Sequence, residues 1–170
     1  MPRRSTATVR RQPVEKVTTA TGPVSIYSET LHVDTSERVE VVDITEMIME
    51  HVHRWPVREG LVTLSSMHTT LTLFINEHQR ALLADMKTFL EQIVKDDHGW
   101  LHNDPDHSDC DRANADSHLR ALLLGHAVTL PLAGGEIVLG QWQRILMGEL
   151  DGPRSRSLRL QVMGVAGGGA

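Results

Sequence analysis

Strand-like segments group towards both ends of this sequence, and segments with helical periodicity lie among and between them. The strand-like segments alternate apolar with polar residues or are rich in β-branched side chains. They are Val24–Val33, Val39–Val42, Leu61–Ser66, Thr70–Ile75, Ala127–Leu132, Glu136–Met147 and Arg156–Met163. This grouping differs from the regular strand–helix–strand alternation of parallel folds. It predicts an α+β fold of mainly antiparallel sheet with two to three helices.

Three segments carry helical patterns. The first begins after Asp43, which stands three residues before a glutamate in a capping arrangement, and ends at Trp55-Pro56. The second places its apolar residues on one helical face: Leu82, Leu83, Met86, Phe89, Leu90, Ile93 and Val94. The third covers about Asn114–Leu124 and ends at Gly125, a residue suited to the positive φ of a helix C-terminus.

Turn residues predict how the strands connect. The polar segment Asp34–Glu37 separates the first two strands, which we expect to pair as a hairpin. Ala133–Gly135 and Glu149–Pro153 separate the last three strands and are rich in turn-forming residues. We therefore expect the end of the chain to form an antiparallel meander.

The length and composition predict one compact globular domain. The 170 residues contain no internal repeat and no linker, so we expect residues 14–165 to form a single domain. Residues 1–13 carry four arginines and no acid and should form a disordered basic tail, and the glycine-rich residues 166–170 should be flexible. The net charge of −5 argues against a nucleic-acid partner, and no apolar run is long enough to cross a membrane. With a single cysteine, the chain needs no oxidising compartment, and we expect a cytoplasmic location.

A long acidic segment separates the second and third helices. Seven aspartates and three histidines lie between Asp96 and Asp116, and the residues as far as Arg112 have neither helical nor strand periodicity. Loops longer than about 12–15 residues inside a compact domain are usually functional or disordered. This segment is therefore a candidate site region.

Three histidines in separate segments are candidate metal ligands. His68 follows a strand, His102 lies in the acidic loop, and His118 lies near the start of the third helix. Three imidazoles with one open position are a common arrangement in catalytic zinc sites. The alternative is that they are solvent-exposed or hydrogen-bonded structural histidines, since ten histidines in 170 residues supply some triple by chance.

Two arginines close to the last strand are candidate anion ligands. Arg154 and Arg156 are two residues apart, so strand alternation would direct both side chains to one face. Guanidinium groups bind phosphate in a bidentate geometry. The alternative is a solvated turn in which the two arginines pair with Glu149 and Asp151.

Several common chemistries have no support in the sequence. Phosphate-binding loops, dinucleotide fingerprints, nucleophile elbows and the zinc-protease helix motif are all absent. Cys110 stands between two aspartates, which oppose formation of a reactive thiolate.

Seven short strings, taken together, resemble the YjbQ-like family, whose members are described as secondary thiamine-phosphate synthases. The similarity extends from about Val24 to Gly164. The strings occur in this order: His68-Thr69-Thr70-Leu71-Thr72-Leu73, Asn76-Glu77, His102-Asn103-Asp104, Asn114-Ala115-Asp116-Ser117-His118, Leu124-Gly125, Leu139-Gly140-Gln141-Trp142-Gln143-Arg144-Ile145 and Glu149-Leu150-Asp151-Gly152-Pro153-Arg154-Ser155-Arg156.

The resemblance implies a homotrimer with a metal-associated histidine site that binds a small phosphorylated substrate. On this basis His68, His102 and His118 are candidate ligands of a divalent ion, zinc or else magnesium. The other residues it implicates are the neighbouring acids Glu77 and Asp104, as candidate catalytic groups, and the candidate substrate-binding residues Trp142, Gln143, Arg154 and Arg156.

Three functions are compatible with these residues. The resemblance implies an enzyme that joins a hydroxymethylpyrimidine diphosphate to a thiazole phosphate and releases pyrophosphate. The alternatives are a metal-dependent hydrolase with Glu77 or Asp104 as the base, and a non-catalytic trimeric metal- or ligand-binding protein. Two departures from the family pattern, Gln141 and Ala127, stand where hydroxyl residues are usual and bear on substrate choice.

Overall fold

A computed structural model describes residues 20–96 and 98–166. These residues form eight strands: β1 (Val24–Asp34), β2 (Glu40–Asp43), β3 (Glu59–Ser66), β4 (Leu71–Asn76), β5 (Ala127–Ala133), β6 (Glu136–Ile137), β7 (Arg144–Glu149) and β8 (Ser155–Val165). The helices are α1 (Thr45–Val52), α2 (Arg80–Ile93) and α3 (Ala115–Leu124), and a short 3-10 turn covers Leu101–Asn103. The predicted α+β fold is confirmed. In this part of the chain no helix has the length and apolar character needed to span a membrane.

The strands form two antiparallel sheets. The larger sheet has the order β1-β8-β3-β5-β6, and the smaller has the order β2-β7-β4. β8 lies in the larger sheet between β1 and β3, and its residues alternate between buried and less buried positions from Arg156 to Gly164. This alternation places one face of β8 on the core.

The main core combines apolar side chains from both sheets and from α1. The fully buried members include Leu64, Leu158, Leu160 and Val162 from the larger sheet, Leu71, Leu73, Ile145 and Met147 from the smaller sheet, and Ile48 and Val52 from α1. Asp43, the last residue of β2, fixes the start of α1, because its Oδ1 accepts hydrogen bonds from the backbone N–H and the hydroxyl of Thr45. The core therefore holds the two sheets together and fixes the ends of β3 and β8.

The predicted hairpin between the first two strands is wrong. β1 pairs with β8 along eleven residues, and β2 pairs with β7 in the other sheet. A four-residue β2 cannot satisfy the backbone groups of an eleven-residue β1, whereas β8 has the same length. The polar turn after β1 is real, but it carries the chain from one sheet to the other.

The predicted meander at the end of the chain is correct only for its first connection, in which β5 and β6 pair antiparallel across the Ala133–Gly135 turn. The expected strand Glu136–Met147 divides into β6 and β7, which belong to different sheets, and a turn at Gln141-Trp142 separates them. β8 then pairs with β1 and β3 and has no pairing with β7. Gly140 lies next to this turn and was the local signal for the break.

The second helix forms as predicted, but its apolar face is only partly covered. Leu90 is its only residue that is buried, whereas Phe89 is 57% and Ile93 52% exposed. A cavity of about 190 Å³ lies between α2 and the smaller sheet, lined by Phe74 on one side and by Met86 and Phe89 on the other. The predicted helical period of α2 is confirmed, but a single chain leaves much of its apolar face exposed.

Candidate functional site

One open cleft of about 640 Å³ is lined by all three of the predicted histidines. It lies where the β3–β4 connection, the acidic loop, the start of α3 and the turn before β8 come together. Six of its lining residues are basic: His68, His102, His118, Arg112, Arg154 and Arg156. The fold therefore brings side chains from four separate segments to one place.

His68 is held by hydrogen bonds from two directions. Its backbone N–H donates to the hydroxyl of Ser66 at 3.1 Å, and that hydroxyl donates to the carbonyl of His68 at 3.0 Å. The ring nitrogen Nε2 accepts a hydrogen bond from the backbone N–H of Ser157 at 2.8 Å. The start of β8 thus fixes the imidazole against the end of β3.

His102 and His118 face each other edge to face. Their ring centroids are 5.1 Å apart and the rings are perpendicular, at 89°. Nε2 of His102 lies 3.2 Å from Oδ1 of Asn114, the residue that precedes α3. Nδ2 of Asn114 donates in turn to Oδ2 of Asp151 at 2.8 Å. The imidazole of His118 has no hydrogen-bond partner among the described residues, so both of its ring nitrogens remain available.

The environment of the cleft keeps two of the histidines neutral. Burial lowers the pKa of His68, and the nearby charges of Arg156 and Arg154 lower it further, against the opposing effect of Glu149. Burial also lowers the pKa of His118, and His102 adds to this against the opposing charges of Asp151 and Asp116. Neutral imidazoles accept or donate one hydrogen bond at each nitrogen and are competent to bind a metal ion.

Both predicted arginines line the cleft, and both are already paired. Arg156 is buried and binds the buried carboxylate of Glu149 through Nε, at 2.5 Å, and through Nη2. Arg154 binds Asp151 through Nη2 at 2.6 Å. The pairings are those of the alternative interpretation, but the Arg156–Glu149 pair lies in the interior and not on the surface.

The Glu149 carboxylate is the buried centre of this arrangement. Burial alone would raise its pKa, but hydrogen bonds from Arg156, from the backbone N–H of Asp151 and from the hydroxyl of Thr35 outweigh that effect and lower it. The carboxylate is therefore ionised at neutral pH and fixes the guanidinium of Arg156 beside the cleft.

Four predicted site residues do not line this cleft. Glu77 follows the end of β4, and Oδ2 of Asp104 lies within hydrogen-bond distance of Nδ1 of His107, at 2.9 Å. Trp142 is 64% exposed in the turn before β7, and the side chain of Gln143 accepts a hydrogen bond from the backbone of Gly140. Their roles in the site remain predictions that rest on the family resemblance.

The structure adds residues that the sequence had not singled out for this site. Arg112 lines the cleft and has no ion-pair or hydrogen-bond partner within the described residues. Asn114 is buried and connects His102 to Asp151. Between them, Ala113 has a φ of 48°, which is unusual for a residue with a side chain. No periodicity or local motif reveals this arrangement, because it depends on how the loop closes over α3.

The three histidines do not form a complete ligand set for a metal ion. Within residues 20–96 and 98–166, no group of three or more histidine, cysteine, aspartate or glutamate side chains is arranged to hold one. In the described part of the chain, Nδ1 of His102 and both ring nitrogens of His118 have no hydrogen-bond partner, which suits metal ligands. Nε2 of His68 is occupied by the Ser157 N–H, so the complete set does not fit a metal ion in this arrangement.

Comparison with known proteins gives consistent matches over most of the chain. A sequence model described as "UPF0047 protein YjbQ-like" matches residues 29–165. A UPF0047 protein of Methanothermobacter thermautotrophicus is 42% identical over 83% of this chain and 94% of that protein. One from Archaeoglobus fulgidus is 41% identical over 78% of this chain and 98% of that protein.

Solved structures match as well. A YbjQ-like protein of unknown function from Sulfolobus solfataricus has a TM-score of 0.77 and 31% identity, covering 84% of this chain and 100% of that one. A hypothetical protein from Aeropyrum pernix has a TM-score of 0.74 and 32% identity, covering 82% of this chain and 99% of that one.

Proposed function

This chain belongs to the YjbQ-like UPF0047 family, and we propose that its histidine–arginine cleft binds a small phosphorylated molecule and acts on it as an enzyme. The observation that carries the proposal is the convergence of three histidines and three arginines on one open cleft of about 640 Å³. Arginine side chains suit phosphate oxygens by charge and by geometry. Imidazoles supply further hydrogen-bond donors and acceptors.

Arg112 is the residue best placed to bind a phosphate directly. The guanidinium groups of Arg154 and Arg156 each bind a carboxylate, whereas Arg112 has no such partner within the described residues. The carboxylates hold the other two groups in place, which reduces the entropy lost when an anion binds. The cleft thus combines one uncompensated positive charge with two positioned guanidinium groups.

The reaction we propose is the joining of a hydroxymethylpyrimidine diphosphate to a thiazole phosphate with release of pyrophosphate. Such a reaction needs no protein nucleophile, because holding the two reactants in line and stabilising the leaving diphosphate are sufficient. The resemblance also implies a divalent ion, zinc or magnesium, and His102 and His118 are the residues that would hold it. Such an ion would neutralise charge on the departing diphosphate.

Hydrolysis is the competing reaction, and the geometry favours it less. It needs a base to activate water, and the two candidate bases, Glu77 and Asp104, do not line the cleft. The proposal also retains a homotrimer, for which the apolar surface of α2 and the exposed Leu122 and Leu123 on α3 offer area to cover. A non-catalytic binding protein is the outcome to be expected if no substrate is turned over.

The test combines turnover with phosphate binding. Purified protein is incubated with the two thiamine precursors and, separately, with phosphate esters and amides, and products are identified by mass spectrometry. We expect thiamine phosphate and pyrophosphate from the first mixture. Hydrolysis of the esters or amides alone would favour the hydrolase, and saturable binding without turnover would favour the binding protein.

Arg112→Ala is the sharper variant for the anion site, because Arg112 supports no other described side chain. It should weaken inorganic phosphate binding by about tenfold while leaving the unfolding midpoint unchanged. Arg154→Lys should also weaken binding, since lysine lacks the planar fork. Arg159→Ala, which removes an exposed arginine of β8 that binds Ser28 and Thr30, is the matched control. Equal phosphate affinity in all four proteins would refute the anion site.

A further inference from the structure

The hydrogen bond to His68 determines which of its ring nitrogens carries the proton. A backbone N–H can only donate, so Nε2 of His68, 2.8 Å from the N–H of Ser157, must be the unprotonated nitrogen. A neutral imidazole carries one proton, which must then be on Nδ1. His68 lines the cleft, and with Nε2 occupied, Nδ1–H is the group it has left to offer a ligand.

The hydrogen bonds around His102 determine the opposite tautomer, with the proton on Nε2. The Asp151 carboxylate can only accept, and its Oδ2 receives Nη2 of Arg154 at 2.6 Å and the side chain of Asn114 at 2.8 Å. The amide nitrogen of Asn114 must therefore face Asp151, and its oxygen must face His102. Because that oxygen can only accept, Nε2 of His102, at 3.2 Å, must donate. In the neutral ring the proton is therefore on Nε2, and Nδ1 is the unprotonated nitrogen.

Burial makes this chain of hydrogen bonds hard to reverse. Asn114 is 3% exposed and Asp151 9% exposed, so solvent has little access to compensate a rotated amide. Turning the amide would place its oxygen against the carboxylate and its nitrogen against the N–H of His102. Both contacts would leave a buried polar group without a partner, which is costly.

We propose that the cleft holds His68 and His102 in complementary tautomers, so that in the neutral rings His68 offers an N–H donor to an anionic substrate and His102 offers an acceptor nitrogen to a donor group of the same substrate. Asn114 and Asp151 are the positioning residues for His102, and Ser157 is the positioning residue for His68. The ligand roles rest on the proposed function, whereas the tautomers depend only on the free protein. Of the three histidines implicated in metal binding, His68 is accordingly assigned to the substrate.

The tautomers are read directly by long-range proton–nitrogen NMR correlation spectra of the nitrogen-15-labelled protein without ligand, at a pH where the rings are neutral. We expect His68 protonated on Nδ1 and His102 protonated on Nε2. Asp151→Asn removes the acceptor-only partner and lets Asn114 turn, so His102 should become a mixture of tautomers while His68 stays unchanged. Glu136→Gln is the matched control, because Glu136 lies 3.1 Å from His53 and should affect only that ring.

A second measurement separates the ligand roles. His68→Ala removes the N–H donor and should weaken inorganic phosphate binding by about tenfold, whereas His102→Ala removes an acceptor and should change phosphate binding less. The inference is overturned if the wild-type tautomers are reversed, or if His102→Ala weakens phosphate binding as much as His68→Ala. If the tautomers are as expected but the wild type binds no phosphate, the proposed function and the role of His68 fail and the tautomer arrangement stands.

Discussion

Replacing Glu149 by glutamine tests how strongly the buried ion pair supports the fold. Glu149 is fully buried and Arg156 is 3% exposed. Oε1 of Glu149 accepts hydrogen bonds from the backbone N–H groups of Leu150, at 2.9 Å, and Asp151, at 2.8 Å, and from Nη2 of Arg156. Oε2 accepts hydrogen bonds from the hydroxyl of Thr35, at 3.0 Å, and from Nε of Arg156. In Glu149→Gln one of these oxygens becomes an NH₂ group that faces donors, and the guanidinium loses its counter-charge.

The expected cost is about 3–5 kcal/mol in the free energy of unfolding, because an uncompensated buried charge remains. That is a large share of the roughly 5–15 kcal/mol that stabilises a typical protein. The assay is urea unfolding at neutral pH and fixed protein concentration, so that subunit association is held constant.

Two further variants make the measurement specific. Glu37→Gln removes the exposed ion pair with Lys87, which spans 3.4 Å, and should change stability by about 0–1 kcal/mol. Glu149→Met combined with Arg156→Met should recover part of the loss, since no charge is left unpaired, although two backbone N–H groups still lack an acceptor. A Glu149→Gln protein within about 1 kcal/mol of the wild type would refute the reasoning.

Four other outcomes are expected. Wild-type stability should fall as the pH drops below 6.5, because burial lowers the pKa of His68 and of His118 in the folded protein and the unfolded chain therefore takes up protons first. It should fall again below pH 4.5, because the pKa of Glu149 is also lowered in the folded protein and the unfolded chain protonates this carboxyl first. The urea midpoint measures both changes, and a His118→Gln profile as steep as that of the wild type just below pH 6.5 would contradict the expectation. Gly164→Ala should cost about 1–3 kcal/mol, since its Cβ would lie 2.1 Å from the carbonyl oxygen of Glu59; an unchanged melting temperature would show that the strands can separate without cost. Ala113→Gly should stabilise the protein by up to about 1 kcal/mol, because glycine adopts the φ of 48° without strain. Ala115→Gly, at the first residue of α3, should destabilise the protein. Equal urea midpoints for the two variants would show that the backbone at Ala113 is not strained. Light scattering should give about three times the 18.9 kDa chain mass, and a single-chain mass would rule out the trimer.

Local patterns were sufficient for the type of most elements. Alternation along Arg156–Met163 and the apolar spacing of the second helix reflect how a strand and a helix each present one face, so β8 and α2 form as predicted. Gly125 has a φ of 87° at the end of α3, as its position indicated. The family strings around His68, His102 and His118 also identified three residues that share the cleft.

The pairing of strands and the state of each site residue depend on contacts between distant parts of the chain. β1 pairs with β8, a strand of the same length more than a hundred residues away. Arg156 binds Glu149 in the interior, and Asn114 connects His102 to Asp151, because the fold closes the loop over α3 and the turn before β8. Residue types determined which hydrogen bonds were possible. Only the tertiary structure decided which donors meet which acceptors, because burial and direction are properties of the packed chain.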